Sequence, residues 1–349
     1  KNIKTAKVPS TPISPDKGAM LAIEAAGLRL EEISELIHGS TVATNAVLER
    51  KGGRVCFFVT RGTKDLLLIQ RHDRRAIYDL QYQKPKPVVP RHDTYEIDER
   101  IAADGNIVTN LDTKVTSTLV RNIFDKENFD SVAICFLHSY LNPIHERALS
   151  NIISALYPEM PITCSCDVAR EFREYERAST TTLAAYVQPV VAGYITRFSE
   201  ELQERGFQGK FSIMQSNGGR MPAAAITKNA ITSLFSGPAA GVVGALRGKG
   251  KTSYPDIITL DMGGTSTDVA LVSNDQAELA PMTTIDGLPV KTPVVDIVTV
   301  GAGGGSIAWV DDGGLLRVGP QSAGATPGPA CYARGGKLPT VTDAHLVRG

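Results

Sequence analysis

The sequence predicts an α/β fold in which a mostly parallel sheet forms the first half of the chain. Residues 54–60 (RVCFFVT) and 131–137 (SVAICFL) are short apolar runs with the length and composition of buried strands. A helical pattern follows each run, at residues 63–69 and at 142–157. Strands that alternate with helices pair in parallel, because each helix returns the chain to the same end of the sheet.

Turn residues mark the individual elements of this half. Asn142 and Pro143 supply an N-cap and a first helical residue for the helix that follows the second strand. Residues 94–101 and 107–111 flank the sequence Asp-Gly-Asn at 104–106, which is typical of a hairpin turn. We therefore expect an antiparallel insertion in the first domain.

A long helical pattern at residues 178–205 separates two regions of different composition. It ends at Gly206, and Pro189 in its interior is expected to kink the helix or to divide it in two. We predict a domain boundary where this pattern begins, with one domain at 1–177 and a second at 178–349.

Five turns rich in glycine and polar residues follow in the second domain. They lie at residues 216–219, 236–241, 261–268, 301–306 and 324–328. Glycine in a turn has an entropic cost, and it is favoured where another group must approach the backbone closely. We expect these loops to converge on a ligand.

Composition excludes several classes of protein. The 349 residues include 37 Lys and Arg against 37 Asp and Glu, so no positive surplus is available to hold a nucleic-acid backbone. No apolar run is long enough to cross a membrane. Five cysteines form an odd set, with two of them in apolar strands, which favours a reducing, cytoplasmic setting. The first residues contain neither an initiator methionine nor a signal peptide, so we expect the chain to be an internal stretch of a longer protein.

The segment 256–272 (DIITLDMGGTSTDVALV) carries the most informative pattern. A glycine-threonine turn joins two apolar strands, and Asp261 and Asp268 stand at its two ends. The glycines leave main-chain N–H groups free to surround phosphate oxygens, and the hydroxyls add donors. Because a carboxylate repels phosphate, Asp261 is expected to bind Mg²⁺ or its waters, or to act as a base.

The predicted roles in this turn are as follows. Asp268 is expected to be a hydrogen-bond anchor or a second carboxylate, and a glycine hairpin with an Asx turn is the structural alternative. The candidate catalytic residues are Asp261 and Asp268, the candidate metal ligand is Asp261, and the candidate phosphate ligands are Gly263, Gly264, Thr265 and Thr267.

Two other glycine turns are candidate nucleotide or substrate contacts. Gly237 precedes a helix-like stretch of small residues, where a phosphate or ribose can approach the helix N-terminus; close packing of the helix on a sheet is the alternative. The turn at 301–306 lacks the third glycine of a dinucleotide fingerprint, and a strand rather than a helix follows it. Its candidates are Gly303, Gly304, Gly305 and Ser306, against the alternative of a structural turn.

Three polar residues are candidate substrate contacts. Thr41 and Thr44 lie where a short apolar strand ends and a helix-like segment begins, and helix capping is the alternative role. Asn217 lies in a glycine turn that is equally typical of a hairpin. The charge run at 171–177 is compatible with a solvated face or with an interdomain latch.

Several segments together resemble a known family. DMGGTSTD is similar to a phosphate loop of the ATPase fold shared by actin, heat-shock chaperones and sugar kinases. The surrounding segments resemble the hydantoinase A/5-oxoprolinase family, which has ketone carboxylase and caprolactamase subunits among its relatives. These segments are HGSTVATNAVLER (38–50), REYERASTT (173–181), MQSNGG (214–219), SGPAAGV (236–242), residues 300–336 and PTVTDAHLVRG (339–349).

The resemblance implies a fold, a cofactor and partners. The fold would consist of two ribonuclease-H-like halves that clasp ATP and Mg²⁺, and the partner would be a hydantoinase B-type subunit or a fused domain in a hetero-oligomer. Family members also carry an earlier phosphate loop and continue beyond the motif at 339–349. The resemblance therefore implies that both ends are truncated.

It also implies a reaction. Phosphorylation of the carbonyl oxygen of a hydantoin, 5-oxoproline or lactam would activate the ring for opening by water, and ATP-dependent carboxylation of a ketone is the enzymatic alternative. A nucleotide-gated module without enzymatic activity is a further alternative, because actin-like proteins share the fold.

Overall fold

A computed structural model describes residues 3–8, 11, 14–74, 76–248 and 254–349. The chain forms two compact units. The first contains residues 1–237 and 281–294, and the second contains residues 238–280 and 295–349. The predicted boundary at 177/178 does not separate these units.

Helices in the described part of the chain are concentrated in the first unit. In chain order they are Pro15–Ala25 (α1), Val42–Leu48 (α2), Leu66–Ile69 (α3), Thr113–Phe124 (α4), Ile144–Leu156 (α5), Ser165–Val168 (α6), Glu174–Glu204 (α7), Ala223–Ile226 (α8), Ser236–Gly248 (α9) and Val341–Arg348 (α10).

The strands form several small sheets. In chain order they are Glu35–His38 (β1), Val55–Thr60 (β2), Thr94–Ile97 (β3), Arg100–Ile101 (β4), Ile107–Thr109 (β5), Ser131–Cys135 (β6), Ile162–Cys164 (β7), Lys210–Met214 (β8), Arg220–Pro222 (β9), Ile257–Met262 (β10), Thr267–Ser273 (β11), Gln276–Ala277 (β12), Leu279–Ala280 (β13), Thr283–Ile285 (β14), Leu288–Val290 (β15), Val294–Val295 (β16), Ile297–Val300 (β17), Ser306–Val310 (β18) and Leu316–Ser322 (β19).

The first unit contains the predicted parallel sheet. Its strand order is β3-β2-β6-β7, and all neighbours are parallel. Every residue of β2 and β6 is buried, as expected for a sheet covered on both faces. Phe58 packs with residues of α4 and α5 on one face, whereas Phe57 packs with residues of α7 on the other. The sequence-based prediction of an α/β fold is confirmed.

The predicted hairpin is smaller than expected. Thr94–Ile97 pairs in parallel with β2, so it belongs to the main sheet. Only Arg100–Ile101 pairs with Ile107–Thr109 in an antiparallel arrangement. Residues 94–101, which the sequence analysis treated as one strand of the hairpin, thus form two short strands in different sheets. The next predicted helix begins at Ile144, one residue later than expected, and the Asn142 side chain accepts a hydrogen bond from its N–H at 3.2 Å.

Helix α7 is continuous through Pro189. Proline has no N–H and cannot bond to the carbonyl four residues earlier, which belongs to Ala185. The Ser131 hydroxyl donates to that carbonyl at 2.7 Å, and the Gly53 N–H donates to the carbonyl of Tyr186 at 2.9 Å. Because the Ser131 hydroxyl replaces the missing donor at Ala185, the proline does not divide the helix.

A second sheet of the first unit has the order β1-β8-β9. Strand β1 is parallel to β8, and β8 and β9 form an antiparallel hairpin. The segment after β1 contains the predicted site residues Thr41 and Thr44, and the turn between β8 and β9 contains Asn217. This sheet therefore carries both predicted substrate segments within one unit.

The second unit is built on an antiparallel sheet in which β11 lies between β10 and β17. Ala239 and Val242 of α9 pack on Ala270 and Val272 of β11, and together with Val295 they form the core of this unit. Ile258, Leu260 and Met262 of β10 are exposed. Strands β18 and β19 form a separate hairpin, and α10 begins with a capping box between Thr340 and Asp343.

None of the described helices is long and apolar enough to cross a membrane.

Candidate functional site

The segment DMGGTSTD forms the end of an antiparallel hairpin in the second unit. Strands β10 and β11 are in register, with Asp261 opposite Asp268 and Met262 opposite Thr267. The Gly263 N–H donates to the carbonyl of Ser266 at 2.9 Å, which closes the turn between the strands. The predicted arrangement of two strands joined by a glycine turn is therefore present.

Main-chain N–H groups of this turn are available to a ligand. Within the part of the chain that the structure describes, the N–H groups of Gly264, Thr265 and Ser266 donate no hydrogen bond to the protein. The turn is exposed at Gly264 and Thr265. Three successive N–H groups without partners form the type of surface that binds phosphate oxygens.

Two of the predicted phosphate ligands have internal partners instead. The N–H of Gly263 closes the turn, and the Thr267 hydroxyl, on a buried side chain, donates to the carbonyl of Ala302 at 2.5 Å. In this arrangement both groups shape the loop. The Thr265 side chain is exposed. Sequence patterns do not show which hydroxyls of a polar turn find a partner within the protein.

The two aspartates of the hairpin have different surroundings. The Asp268 carboxylate accepts a hydrogen bond from the Thr299 hydroxyl at 2.8 Å, across the pair of strands β11 and β17. Asp261 is exposed, and its carboxylate makes no hydrogen bond or ion pair with any described residue. Asp268 is thus anchored, as one of its two predicted roles requires, whereas Asp261 is free to bind a cation.

The second glycine loop of this unit packs directly on the first. The N–H groups of Gly304 and Gly305 donate to the carbonyls of Gly263 and Gly264, at 2.9 and 2.6 Å. A Cβ atom on Gly303 would lie 2.7 Å from the carbonyl oxygen of Gly263. These contacts favour the structural alternative for the loop, and an approach of nucleotide or substrate to Gly303–Ser306 stays a prediction.

Ser306 is turned toward its own loop. It is fully buried, and its hydroxyl oxygen accepts a hydrogen bond from the Gly303 N–H at 2.8 Å. This contact favours the structural alternative for Ser306. Gly304 and Gly305 hold the loop around 263–266 in place through their N–H groups.

A cavity of about 390 Å³ lies beside this hairpin, within the second unit. Helix α9 contributes Gly241 and Val242 to it, and strands β10 and β11 contribute Leu260, Asp261 and Asp268. Its wall is mostly aliphatic, with the two carboxylates at one end. A volume of this size is in the range of small-molecule sites.

Thr41, Thr44 and Gly237 come together in the first unit. A Cβ atom on Gly237 would lie 3.7 Å from Cγ2 of Thr41, and the Thr44 hydroxyl oxygen accepts a hydrogen bond from the N–H of Phe235 at 3.1 Å. The Ser236 hydroxyl donates to the carbonyl of Ser40 at 2.8 Å. Thr41 is the N-cap of α2, without a side-chain capping bond. These contacts tie the start of α9 to the loop at 38–44.

Asn217 lies in the turn between β8 and β9. Its side-chain oxygen accepts a hydrogen bond from the Gly219 N–H at 2.8 Å, which is an Asx turn. The residue is exposed. The hairpin role is therefore present, and a contact with substrate remains a prediction.

The charge run at 171–177 is not a solvated face throughout. Arg177 and Glu176 are buried, and Arg177 donates to the Ser165 hydroxyl at 2.5 Å and to the carbonyl of Phe136 at 3.2 Å. The Arg71 side chain pairs with Glu176. Sequence analysis did not find this pair, because its members are separated by about a hundred residues and no local pattern signals such a pairing.

Glu146, Cys164 and Cys166 also lie close together in the first unit. The carboxylate of Glu146 accepts hydrogen bonds from the N–H groups of Phe136 and Cys166, both at 2.9 Å, and from the Ser139 hydroxyl at 2.7 Å. The hydrogen bond to Cys164, together with burial, raises the pKa of the Cys166 thiol. Because protein donors occupy the Glu146 carboxylate, this cluster is a structural network.

Profiles of one protein family match almost the whole chain. The hydantoinase/oxoprolinase profile matches residues 177–349, and the profile of the hydantoinase/oxoprolinase N-terminal region matches residues 1–157.

Individual relatives agree with the profiles. The chain is 40% identical, over its full length, to 53% of an uncharacterized protein of Methanocaldococcus jannaschii. It is 36% identical to the caprolactamase subunit alpha of Pseudomonas jessenii, with 100% of this chain and 51% of that protein aligned. It is also 36% identical to the acetophenone carboxylase gamma subunit of Aromatoleum aromaticum, with 99% and 50% aligned.

The crystal structure of the ATP-dependent caprolactamase from Pseudomonas jessenii superposes on 99% of this chain, with a TM-score of 0.85 and 34% identity, over 51% of that structure's chain. The chain thus spans about half the length of the relatives it matches. It belongs to the hydantoinase/oxoprolinase family.

Proposed function

We propose that this chain is the ATP-binding part of an enzyme that opens cyclic amides. The observation that carries the proposal is the hairpin turn at 263–266, where three successive N–H groups donate to no described residue and follow Asp261, whose carboxylate has no partner among the described residues. Similarity to the caprolactamase subunit, whose name and solved structure indicate an ATP-dependent enzyme acting on a lactam, supports this choice.

In this proposal the turn binds the phosphates of ATP. The N–H groups of Gly264, Thr265 and Ser266 donate to phosphate oxygens, and the loop at 303–306 holds the turn in shape through its bonds to Gly263 and Gly264. Asp268, bonded to Thr299, keeps the paired strands in register beside the turn.

Asp261 fits a magnesium ion or its waters, because its carboxylate is exposed and has no partner among the described residues. Mg²⁺ bound there would neutralise charge on the phosphates. A fold of two ribonuclease-H-like halves, as in actin-like ATPases, belongs to the same proposal. The antiparallel sheet β10-β11-β17 under helix α9 and the superposition on the caprolactamase support it.

The reaction follows from the low reactivity of amides. Transfer of the γ-phosphoryl group to the carbonyl oxygen breaks the bond between the γ-phosphorus and the bridging oxygen, forms a new P–O bond, and releases ADP. The ring carbon then carries a good leaving group. Attack by water at that carbon gives a tetrahedral intermediate, whose collapse cleaves the C–N bond and leaves an acyl phosphate. A second water hydrolyses the acyl phosphate, which releases phosphate and the open amino acid.

ATP-dependent carboxylation of a ketone is the second candidate. It is favoured by the 36% identity to the acetophenone carboxylase gamma subunit, the same identity as to the caprolactamase subunit. Because both relatives are named as subunits, we also propose a second, B-type subunit or domain as partner.

The test is ATP turnover by the complete protein with any subunit that co-purifies. Phosphate release is measured with ε-caprolactam, hydantoin or 5-oxoproline, and separately with acetophenone plus bicarbonate. Stimulation by a cyclic amide is expected. A carboxylated product that requires bicarbonate would favour the carboxylase, and no stimulation by any cyclic amide would refute the hydrolase.

Substitution of the proposed metal ligand gives a sharper result. Asp261→Asn keeps the size of the side chain but removes its charge, and it should lower substrate-stimulated phosphate release about 100-fold. Asp312→Asn, at an exposed position in the same unit, is the matched control and should retain full activity. Equal activity of the two variants would contradict the role of Asp261.

A further inference from the structure

A small polar cavity lies in the first unit, outside the phosphate-binding hairpin. Its volume is about 150 Å³. Three segments line it: the loop at 70–85, the first turn of α7, and the hairpin formed by β14 and β15. The motif REYERASTT therefore contributes to a cavity, a role that the proposed nucleotide site does not account for.

An ion pair between the half-exposed Arg71 and the buried Glu176 forms one wall of this cavity. The Arg71 guanidinium donates from Nε to Oε1 of Glu176 at 2.9 Å and from Nη2 to Oε2 at 2.6 Å. Only 8% of the Glu176 side chain is exposed. A carboxylate removed from water and held by both oxygens has a fixed orientation, which is a property of binding sites.

Two residues that belong to the cavity lining or stand close to it in sequence have an unusual main-chain conformation. Gln70, a lining residue, has φ 55° and ψ −140°, and Arg173, which precedes α7, has φ 82° and ψ 90°. Residues other than glycine rarely adopt these angles, and they cluster at ligand sites because the surrounding structure must hold them. The Gln70 side chain donates to the carbonyl of Pro85 at 2.7 Å, which helps to hold the loop.

The lining residues determine which ligand fits. Arg71 is positive, whereas Asp73 and Glu176 are negative, so the cavity as a whole carries excess negative charge and disfavours phosphates and carboxylates. Tyr82 and Thr284, which carry hydroxyl groups, also line the cavity. The wall therefore offers both donors and acceptors to an uncharged molecule.

Apolar groups complete the cavity. The rings of Pro85 and Pro289 and those of the tyrosines offer contact surface for methylene groups. A small ring that combines one N–H, one C=O and several methylenes matches all of these features. We propose that this cavity binds a neutral cyclic amide, a lactam or hydantoin; the identity of the amide as substrate rests on the function proposed above.

The test compares a neutral and an anionic ligand in the absence of ATP. Binding of ε-caprolactam and of 5-oxoproline, which carries a carboxylate, is measured by calorimetry on the protein. We expect ε-caprolactam to bind at least tenfold more tightly. Failure of ε-caprolactam to bind, or tighter binding of 5-oxoproline, would overturn the proposal.

Glu176→Gln tests the charge of the cavity. It removes one negative charge and leaves Arg71 without its carboxylate partner, so the preference for ε-caprolactam over 5-oxoproline should fall at least tenfold. Glu201→Gln, in the same helix but paired with Arg205 on the surface, is the control and should leave the preference unchanged. If Glu176 had a purely structural role, Glu176→Gln would weaken the binding of ε-caprolactam and of 5-oxoproline by the same factor.

Thr284→Leu is a second variant that leaves the ion pair intact. Its larger apolar side chain occupies the cavity and should weaken ε-caprolactam binding at least tenfold, and it decides the question if Glu176→Gln does not fold. Unchanged affinity in Thr284→Leu would show that the ligand binds elsewhere. If Thr284→Leu keeps lactam-stimulated ATP hydrolysis, the cavity is not the lactam site, but the proposed function stands. If the protein binds lactam in the cavity without turning over ATP, the proposed function is refuted, but the binding site stands.

Discussion

Replacement of Gly303 by alanine tests whether the two glycine loops of the second unit are held together by direct main-chain contact. A Cβ atom at this position would lie 2.7 Å from the carbonyl oxygen of Gly263 and 2.7 Å from the nitrogen of Ser266. Ordinary contacts of a Cβ atom begin near 3.4 Å, so the loops must separate by about 0.7 Å. Both neighbours are main-chain atoms, which cannot rotate away as a flexible side chain would.

The energetic cost follows from the contacts that the separation stretches. Overpacking by one methyl group typically costs about 1–3 kcal/mol. The bonds from Gly304 to Gly263 and from Gly305 to Gly264 would lengthen as well, and each contributes about 1 kcal/mol. We expect Gly303→Ala to lower the free energy of unfolding by about 2–3 kcal/mol.

Urea denaturation provides the assay, with Gly264→Ala as the control. A Cβ atom on Gly264 meets no atom within 4 Å, so that variant should change the free energy of unfolding by less than about 0.5 kcal/mol. ATP binding should weaken in Gly303→Ala because the turn at 263–266 is displaced. Equal stability of the two variants would refute the contact between the loops.

Two further predictions concern buried charged or titratable groups of the first unit. Burial lowers the pKa of His38 to about 4, whereas the pKa of a histidine in the unfolded chain is about 6.5. The unfolded state therefore binds more protons between these values, and stability is lost as the pH falls through that window. The glutamine of His38→Gln can still form a hydrogen bond with the Tyr194 hydroxyl. Urea titrations at pH 7 and pH 5 should show that this variant loses about 2 kcal/mol less unfolding free energy between these pH values than the unchanged protein. The same pH dependence in both proteins would contradict this assignment. Arg177→Met should destabilise the protein by about 3–5 kcal/mol, because it removes the donor to the carbonyls of Phe136 and Ala169 and the positive charge beside the buried Glu146 carboxylate. Arg205→Met, on the surface, should cost less than about 1 kcal/mol. Similar unfolding midpoints for the two arginine variants would refute the importance of the buried network.

Much of the local structure could be predicted from residue patterns. The two central strands of the parallel sheet were recognisable because every position in them is apolar or small, as burial on both faces requires. The hairpin around 263–266 was recognisable because glycines and hydroxyl residues interrupt two apolar runs. Both signals depend only on neighbours in the chain.

Other features depend on partners that are distant in sequence. Pro189 is tolerated inside α7 because the Ser131 hydroxyl donates to the carbonyl of Ala185, which has no N–H partner at position 189. Glu176 is buried because Arg71 pairs with it, and Thr94–Ile97 joins the main sheet because β2 offers an open edge. No local pattern specifies these pairings.

The composition and periodicity of the chain were sufficient to establish its class of fold, its principal strands and the turn proposed to bind phosphate, since these follow from short-range sterics and from the burial of apolar faces. Long-range contacts settled which hydroxyls and N–H groups stay free, which charges are buried and where the chain divides into compact units. The physical reason is that satisfying a buried polar group requires a partner, and that partner is selected by the folded arrangement of segments far apart in the sequence.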